Sequence, residues 1–392
     1  MHTADAVIIG GGVIGASVAY HLAERGARGV LVLEREPEQG RGSTGRATGG
    51  VRAQFSTGIN IRMSLYSVEF FANFREATGR DCGYLPVGYL FLAADAAQLG
   101  ALESARARQL AEGLTSVEIL DAGEIARRLP FVRADDLAGG SFCPTDGFID
   151  PLAVMRGFTE RAVERGARVW RGAEVTGVDV GGDGRVAGVR TTRGDVATRV
   201  VVNAAGAWGA GVARLAGVEI PVAPLRRQIV CVRPARPLPA GTPMIIDLAD
   251  GFHFRAVVRG GEWRPEVLLA WPDASEREGF STDADAAFAE KILRRAPARV
   301  PSFAGAEVVP ELSRAGLYEM TPDRHAIICE TREPRGLFLA NGFSGHGVMH
   351  SPAAGRAVSD LVLDGHTAAF DLAPLHLDRF SSGALIEETS LL

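Results

Sequence analysis

The stretch from Ala6 to Glu34 constrains the fold more than any other. Ala6-Val7-Ile8-Ile9 is a short continuous apolar run, the pattern of a strand buried on both faces. It runs into Gly10-Gly11-Gly12-Val13-Ile14-Gly15, which fits G-x-G-x-x-G. A helix pattern follows, with Ile14, Val18 and Leu22 on one face. A second apolar run, Val30-Leu31-Val32-Leu33, ends on Glu34. Strand, glycine turn, helix, strand and terminal acid within about 30 residues predict a βαβ unit that binds a dinucleotide. Gly10 permits the tight turn, Gly12 lets a pyrophosphate approach the backbone, and Gly15 lets helix and strand pack closely. The helix N-terminus supplies N–H groups and partial positive charge for the phosphates. Glu34 would accept hydrogen bonds from ribose hydroxyls and repel a 2′-phosphate, which disfavours an NADP-type ligand. The motif does not separate NAD from FAD.

Two further segments bear on that choice. Gly42-Ser43-Thr44-Gly45-Arg46-Ala47-Thr48-Gly49-Gly50-Val51-Arg52 is too rich in small residues to pack a core. It offers hydroxyls and backbone N–H groups to a second ligand surface. Near the C-terminus, Asn341-Gly342-Phe343-Ser344-Gly345-His346-Gly347 follows the apolar run Leu337-Phe338-Leu339-Ala340. A helix pattern begins around Pro352 and runs to Leu363, with Gly365 as its stop. A helix N-terminus there would stabilise negative charge on a bound ring. Between these segments, Arg168 to Thr192 reads as short strands with Gly181-Gly182-Asp183-Gly184 as a hairpin turn, and Pro221 to Leu269 as further strands. Leu99 to Leu129 reads as a polar, helical surface element. No second G-x-G-x-x-G stands in a βαβ context, so a separate NADPH site is not expected.

The length, 392 residues, gives a prior of about two or three domains. A net charge of −5, from 42 basic and 47 acidic residues, implies no general attraction to nucleic acid or anionic membrane. Cys82, Cys143, Cys231 and Cys329 are scattered, so no CxxC metal or redox motif exists, and reduced thiols in a cytoplasmic protein are expected. The first residues imitate a signal peptide but lack a positive n-region and carry Asp5. No run of about twenty apolar residues predicts a membrane span. Lys291 is the single lysine, so any cation serving a site elsewhere is an arginine or a histidine.

Taken together, these segments carry a resemblance. The chain resembles the D-amino-acid oxidase superfamily of FAD-dependent oxidoreductases, in the branch of sarcosine oxidase beta subunits, proline dehydrogenase beta subunits and glycine oxidases. Besides the Gly10–Gly15 turn with Glu34 and the Gly42–Arg52 loop, the matching stretches are Val202-Asn203-Ala204-Ala205-Gly206-Ala207-Trp208, Met320-Thr321-Pro322-Asp323 and Gly342-Phe343-Ser344-Gly345-His346-Gly347. The fold class implied is α/β, α+β overall: a Rossmann-like FAD-binding domain and a substrate domain built on an antiparallel β-sheet. The expected segments are 1–84, 148–218 and 322–392 for the first, and 85–147 and 219–321 for the second.

The resemblance implies FAD contacts at Gly10, Gly12, Val13, Ile14, Gly15, Glu34 and Arg35, and at Ser43, Thr44, Ala47, Thr48, Gly49 and Gly50. It implies others at Val175, Ala205, Gly206 and Trp208, and at Gly342, Phe343, Ser344, Gly345, His346, Gly347, Val348 and Met349. Arg52, which closes the glycine-rich loop, is the first candidate to hold a substrate carboxylate. Arg46 stays unassigned. His253 stands where relatives often carry tyrosine over the flavin; it is a candidate base toward the substrate ammonium, or a carboxylate partner. Arg255 and Arg227 are further carboxylate candidates. No histidine lies between His21 and His253, and Gly316 stands where monomeric sarcosine oxidases tether FAD through cysteine, so non-covalent FAD and no FMN are expected.

The family oxidises an amine carbon by hydride transfer to flavin, giving an imine that hydrolyses. A small amine or amino-acid substrate is therefore expected, of sarcosine, proline or glycine type. The electron acceptor is oxygen, a quinone or a partner protein. Lys291 lies in a surface helix pattern, so lysine-based oxygen activation is not expected, which favours a dehydrogenase. The alternatives are a flavoprotein subunit or assembly factor with little activity alone, oxidation of a hydroxy-acid or glycerol-phosphate-like C–O bond, and an NAD enzyme. An oligomer is compatible with all of these.

Overall fold

The computed structural model describes residues 2–386 and 388, so Met1 and the rest of the end of segment 322–392 lie outside them. The strands Ala6–Ile9 and Val30–Glu34 pair in parallel, with the helix Val13–Glu24 crossing between them. They form the centre of a six-stranded sheet. On one side Arg168–Arg171 adds in parallel to Val30–Glu34. On the other come Val201–Asn203 and Leu337–Asn341, also parallel, and then Ile327–Glu330, antiparallel at the edge. The first two strands are fully apolar except for Glu34 because helices or a second small sheet cover both faces.

A second, nine-stranded sheet holds Ala223–Arg233, Glu262–Ala270, His253–Arg259, Met244–Asp247, Tyr89–Ala93 and Gly139–Cys143 in spatial order. Arg314–Met320 pairs with Ala223–Arg233 along its first half. The sheet is antiparallel except where Met244–Asp247 runs parallel to Tyr89–Ala93. Its inner residues, among them Leu92, Ile245, Phe254 and Leu269, pack against the helix Ala286–Arg295 in a core of their own. The expected α/β architecture is thus present, with one parallel pair in the sheet expected to be antiparallel.

Two local expectations need correction. The polar segment from Leu99 to Leu129 is not one helical element: the helix Ala96–Ala111 and the short helix Ala122–Arg128 flank a strand, Glu118–Leu120, at the edge of the large sheet. Pattern reading missed it because a three-residue strand shows too little alternation. The C-terminal helix starts at Gly347, not near Pro352, and runs to Asp364 with Gly365 in the left-handed conformation at its end. Pro352 lies inside it and cannot donate to the Val348 carbonyl one turn back. The Ser351 hydroxyl donates to that carbonyl instead, at 2.8 Å. Among the described residues no helix is long and apolar enough to cross a membrane.

Candidate active site

A cleft of about 450 Å³ runs from the ends of the parallel strands to the large sheet. Its first part is built by the glycine turn. Gly10 has φ +108°, and a Cβ there would overlap the Ala204 carbonyl of the neighbouring turn. A Cβ on Gly15 would overlap the Gly10 carbonyl itself. Gly12 differs: its nearest neighbour would be the Thr44 hydroxyl at 3.3 Å, so a side chain there would project into the cleft. Gly15 therefore shapes the turn without lining the cleft.

Glu34 lines the cleft and is tied into the turn, accepting the Gly11 N–H at 3.0 Å and the Glu36 N–H at 2.9 Å. Burial raises its pKa, and these two N–H bonds oppose the shift. The Thr44 hydroxyl accepts the Val13 N–H at 3.0 Å, joining the glycine loop to the first helix. That loop is stapled to the large sheet by Ser43, whose hydroxyl donates to the Leu317 carbonyl at 2.7 Å, and by Arg46, which donates to the Ala315 carbonyl at 2.8 Å. Arg46 also lines the cleft. At the far end, Val175 and Ala205 approach beside Glu34, while Arg35 lies over the Trp208 ring at 3.8 Å.

The C-terminal glycine loop closes the middle of the cleft with Phe343 through Met349. Because the helix begins at Gly347, the N–H groups of Gly347, Val348 and Met349 have no earlier helical carbonyl to meet. They are a preformed anion-stabilising edge. Gly342 supports the turn from outside, donating its N–H to Glu319 at 2.9 Å, and is not a lining residue. His346 lines the cleft and its Nε2 lies 3.4 Å from Arg52. Burial, reinforced by the Arg52 cation, lowers its pKa well below the ordinary imidazole value.

The large sheet supplies the remaining wall. Arg52, His253 and Arg227 meet there with Tyr89, Trp271, Tyr318 and Glu319. His253 directs Nδ1 at the Gly251 carbonyl, 2.9 Å away. A carbonyl only accepts, so Nδ1 carries the proton and Nε2 is left as an acceptor. Burial lowers the His253 pKa, and the cations of Arg227 and Arg52 lower it further. Arg52 is buried, packs over the Phe55 ring at 4.0 Å and donates to the Gln54 carbonyl at 2.8 Å.

Arg227 is the less encumbered cation: its one hydrogen bond is a long 3.4 Å contact to the Arg226 carbonyl, and it makes no ion pair among the described residues. Its guanidinium lies 5.8 Å from the Tyr318 ring. Arg255 is not brought to the cleft. It donates to the Thr48 carbonyl at 2.8 Å through Nε and packs over the Phe148 ring. Strand alternation alone does not predict this, because His253 and Arg255 share one parity; the Thr48 carbonyl captures the long side chain.

Tyr318, Glu319, Tyr89 and Trp271 were not read as site residues from sequence. The position of the first two, directly before Met320-Thr321-Pro322-Asp323, was the only signal. Glu319 is the less expected of the two. It accepts two N–H groups of the C-terminal glycine loop, and burial pushes its carboxyl up to about 7. Lys291 is far from such a role; its ammonium is held by Asp273 at 2.8 Å and does not line the cleft.

The FAD dependent oxidoreductase family model, DAO, matches residues 5–361 of the chain. FAD-dependent oxidoreductase domain-containing protein 1 of Xenopus laevis is 32% identical over 97% of this chain and 83% of its own length. Mouse mitochondrial sarcosine dehydrogenase is 30% identical over 93% of this chain but only 40% of its own length. Among solved structures, L-proline dehydrogenase from P. horikoshii superposes with a TM-score of 0.89 at 28% identity, covering 98% of this chain and 100% of that one.

Proposed function

The chain belongs to the DAO family of FAD-dependent oxidoreductases, and on that premise we propose that it oxidises the C–N bond of a small amino acid or N-methyl amino acid. The observation that carries this reading is Arg227, a guanidinium without an ion-pair partner among the described residues, lining the same cleft as the dinucleotide cradle. A half-buried cation that no protein carboxylate neutralises is suited to a carboxylate on the substrate. Relatives named for sarcosine and proline oxidation support the same substrate class.

FAD, when bound, supplies the two-electron acceptor for the hydride leaving the substrate carbon. The residues of the chain do the rest. Arg227 holds the carboxylate, with Arg52 adding positive potential from the buried side. His253 accepts the ammonium proton at Nε2, freeing the nitrogen lone pair that forms C=N as the hydride departs. Tyr318 and Trp271 exclude water from that end. The imine then takes up water, giving a carbonyl compound and ammonia or an amine.

The direct test is anaerobic mixing with sarcosine, proline, glycine, D- and L-amino acids and glycerol 3-phosphate. Bleaching of the flavin by an amino acid is expected, and bleaching by glycerol 3-phosphate alone would overturn the proposal. The His253 assignment predicts a pH profile. The base works only when neutral, and its pKa is lowered, so the reduction rate should rise with pH and level off below the ordinary imidazole value of 6.5. Stopped-flow reduction of the His253→Gln protein should lack that acid limb. A limb that survives removes His253 as the base.

FAD should be non-covalent: with no histidine in the Ser43–Arg52 loop and Gly316 at the cleft wall, the yellow colour should stay in solution after acid precipitation. Electron transfer to a quinone or partner protein is favoured over oxygen, because Lys291 is held by Asp273. Peroxide formation matching turnover in air would reverse that preference.

A further inference from the structure

We infer that Glu388 is a positioning residue for Arg52: it clamps the segment from Arg52 to Thr57 and offsets the guanidinium charge that faces the cleft. The proposal rests on FAD occupying the cleft and is independent of the substrate.

Glu388 is buried among polar groups far from it in sequence. Its Oε1 accepts the Ser56 N–H at 2.7 Å and the Ser56 hydroxyl. Its Oε2 accepts the Thr57 hydroxyl at 2.9 Å and Asn60 Nδ2 at 3.4 Å. Thr57 is the N-cap of the helix Gly58–Ala72, yet its own side chain makes no capping bond and the first turn holds no acid. Glu388 thus supplies from the C-terminal tail the negative charge that this helix start lacks.

The same clamp reaches Arg52. The Arg52 guanidinium donates to the Gln54 carbonyl, so it moves with the segment that Glu388 holds. Asp146 grips the segment from the other side, accepting the Ala53 N–H at 2.8 Å and Gln54 Nε2 at 3.0 Å. Among the described carboxylates, Glu388 acts on Arg52 more strongly than Asp146 does. Two acids and one arginine sharing a buried region would be costly without this mutual compensation.

The Thr321-Pro322-Asp323 motif, which does not line the cleft, delivers the tail. Asp323 pairs with Arg379 through two bonds, 2.7 and 3.0 Å, and accepts the Ile386 N–H at 3.4 Å. Ile386 and Glu388 are thus held from Asp323 and from Ser56.

The test uses full-length, FAD-loaded protein and reads the midpoint potential of the bound flavin. Glu388→Gln keeps the shape and removes the charge. With Arg52 present, its guanidinium is then held and offset less, and the potential should shift upward. The same substitution in an Arg52→Met background, kept in excess FAD, should give a smaller shift, that of the carboxylate's own field. Glu388→Asp, which retains the charge, should restore the potential toward wild type even if its thermal midpoint falls. A mere helix cap would lower the thermal midpoint of Glu388→Gln and leave the potential unchanged, and that result overturns the proposal. So does a shift of equal size without Arg52, or an Asp variant that behaves as Gln does.

Discussion

A Gly15→Val protein is expected to emerge without flavin. The Cβ alone would overlap the Gly10 carbonyl and come within 3.2 Å of Ile8 Cγ2. Neither neighbour is a flexible side-chain end that can swing away, since one is backbone and the other a buried strand residue. The first helix would have to separate from its strand, at a cost of about 3 kcal/mol or more. Gly12→Ala makes the informative contrast. Its Cβ meets only the Thr44 hydroxyl, so the protein should fold, with an unchanged thermal midpoint as apoprotein. The methyl occupies space that the cradle leaves for a pyrophosphate. FAD affinity, read by titrating apoprotein against flavin fluorescence, should fall roughly 30-fold, equivalent to about 2 kcal/mol. Unchanged affinity would mean that the phosphates do not pass over Gly12.

The second large effect concerns Arg227. Arg227→Met should lower kcat/KM for an amino-acid substrate by roughly 100- to 1,000-fold, the loss of about 3–4 kcal/mol of charge-assisted hydrogen bonding. FAD affinity should stay within about twofold of wild type, because Arg227 holds no backbone of the cradle. Arg227→Lys should recover only part of the loss: a lysine restores the charge but not the planar fork. Arg52→Met should look different. Arg52 supports the Gln54 carbonyl and lies against His346, so its loss should lower flavin retention together with turnover. Equal kinetic effects of the two substitutions, with flavin retained in both, would contradict the division of roles proposed for them.

Much of the cofactor end was legible in sequence. The turn Gly10–Gly15, Glu34, the Ser43–Gly50 loop and the Phe343–Met349 loop are contiguous stretches whose small residues are needed for backbone approach, and all but Gly11, Gly15 and Gly45 line one cleft. Gly15 and Gly342 act one step removed, by packing and by a hydrogen bond to Glu319. The substrate end was far less legible. His253, Arg227, Tyr318 and Trp271 come from four different strands or strand ends, and each taken alone is an ordinary residue of a β-strand. Arg255 shows the same limit from the other side. It sits two residues from His253, yet a backbone carbonyl of the Ser43–Gly50 loop takes its guanidinium.

By itself the sequence determined the βαβ start, the dinucleotide cradle and the restriction of functional cations to arginine and histidine, because each is written within a short span or in composition. Only the tertiary structure decided that Arg227 lines the cleft without an ion pair among the described residues, which histidine nitrogen is left to accept a proton, and that Glu388 grips the segment following Arg52. Those properties depend on distances between residues as far apart as Ser56 and Glu388, and Coulomb and hydrogen-bond energies fall off with that distance, not with separation along the chain.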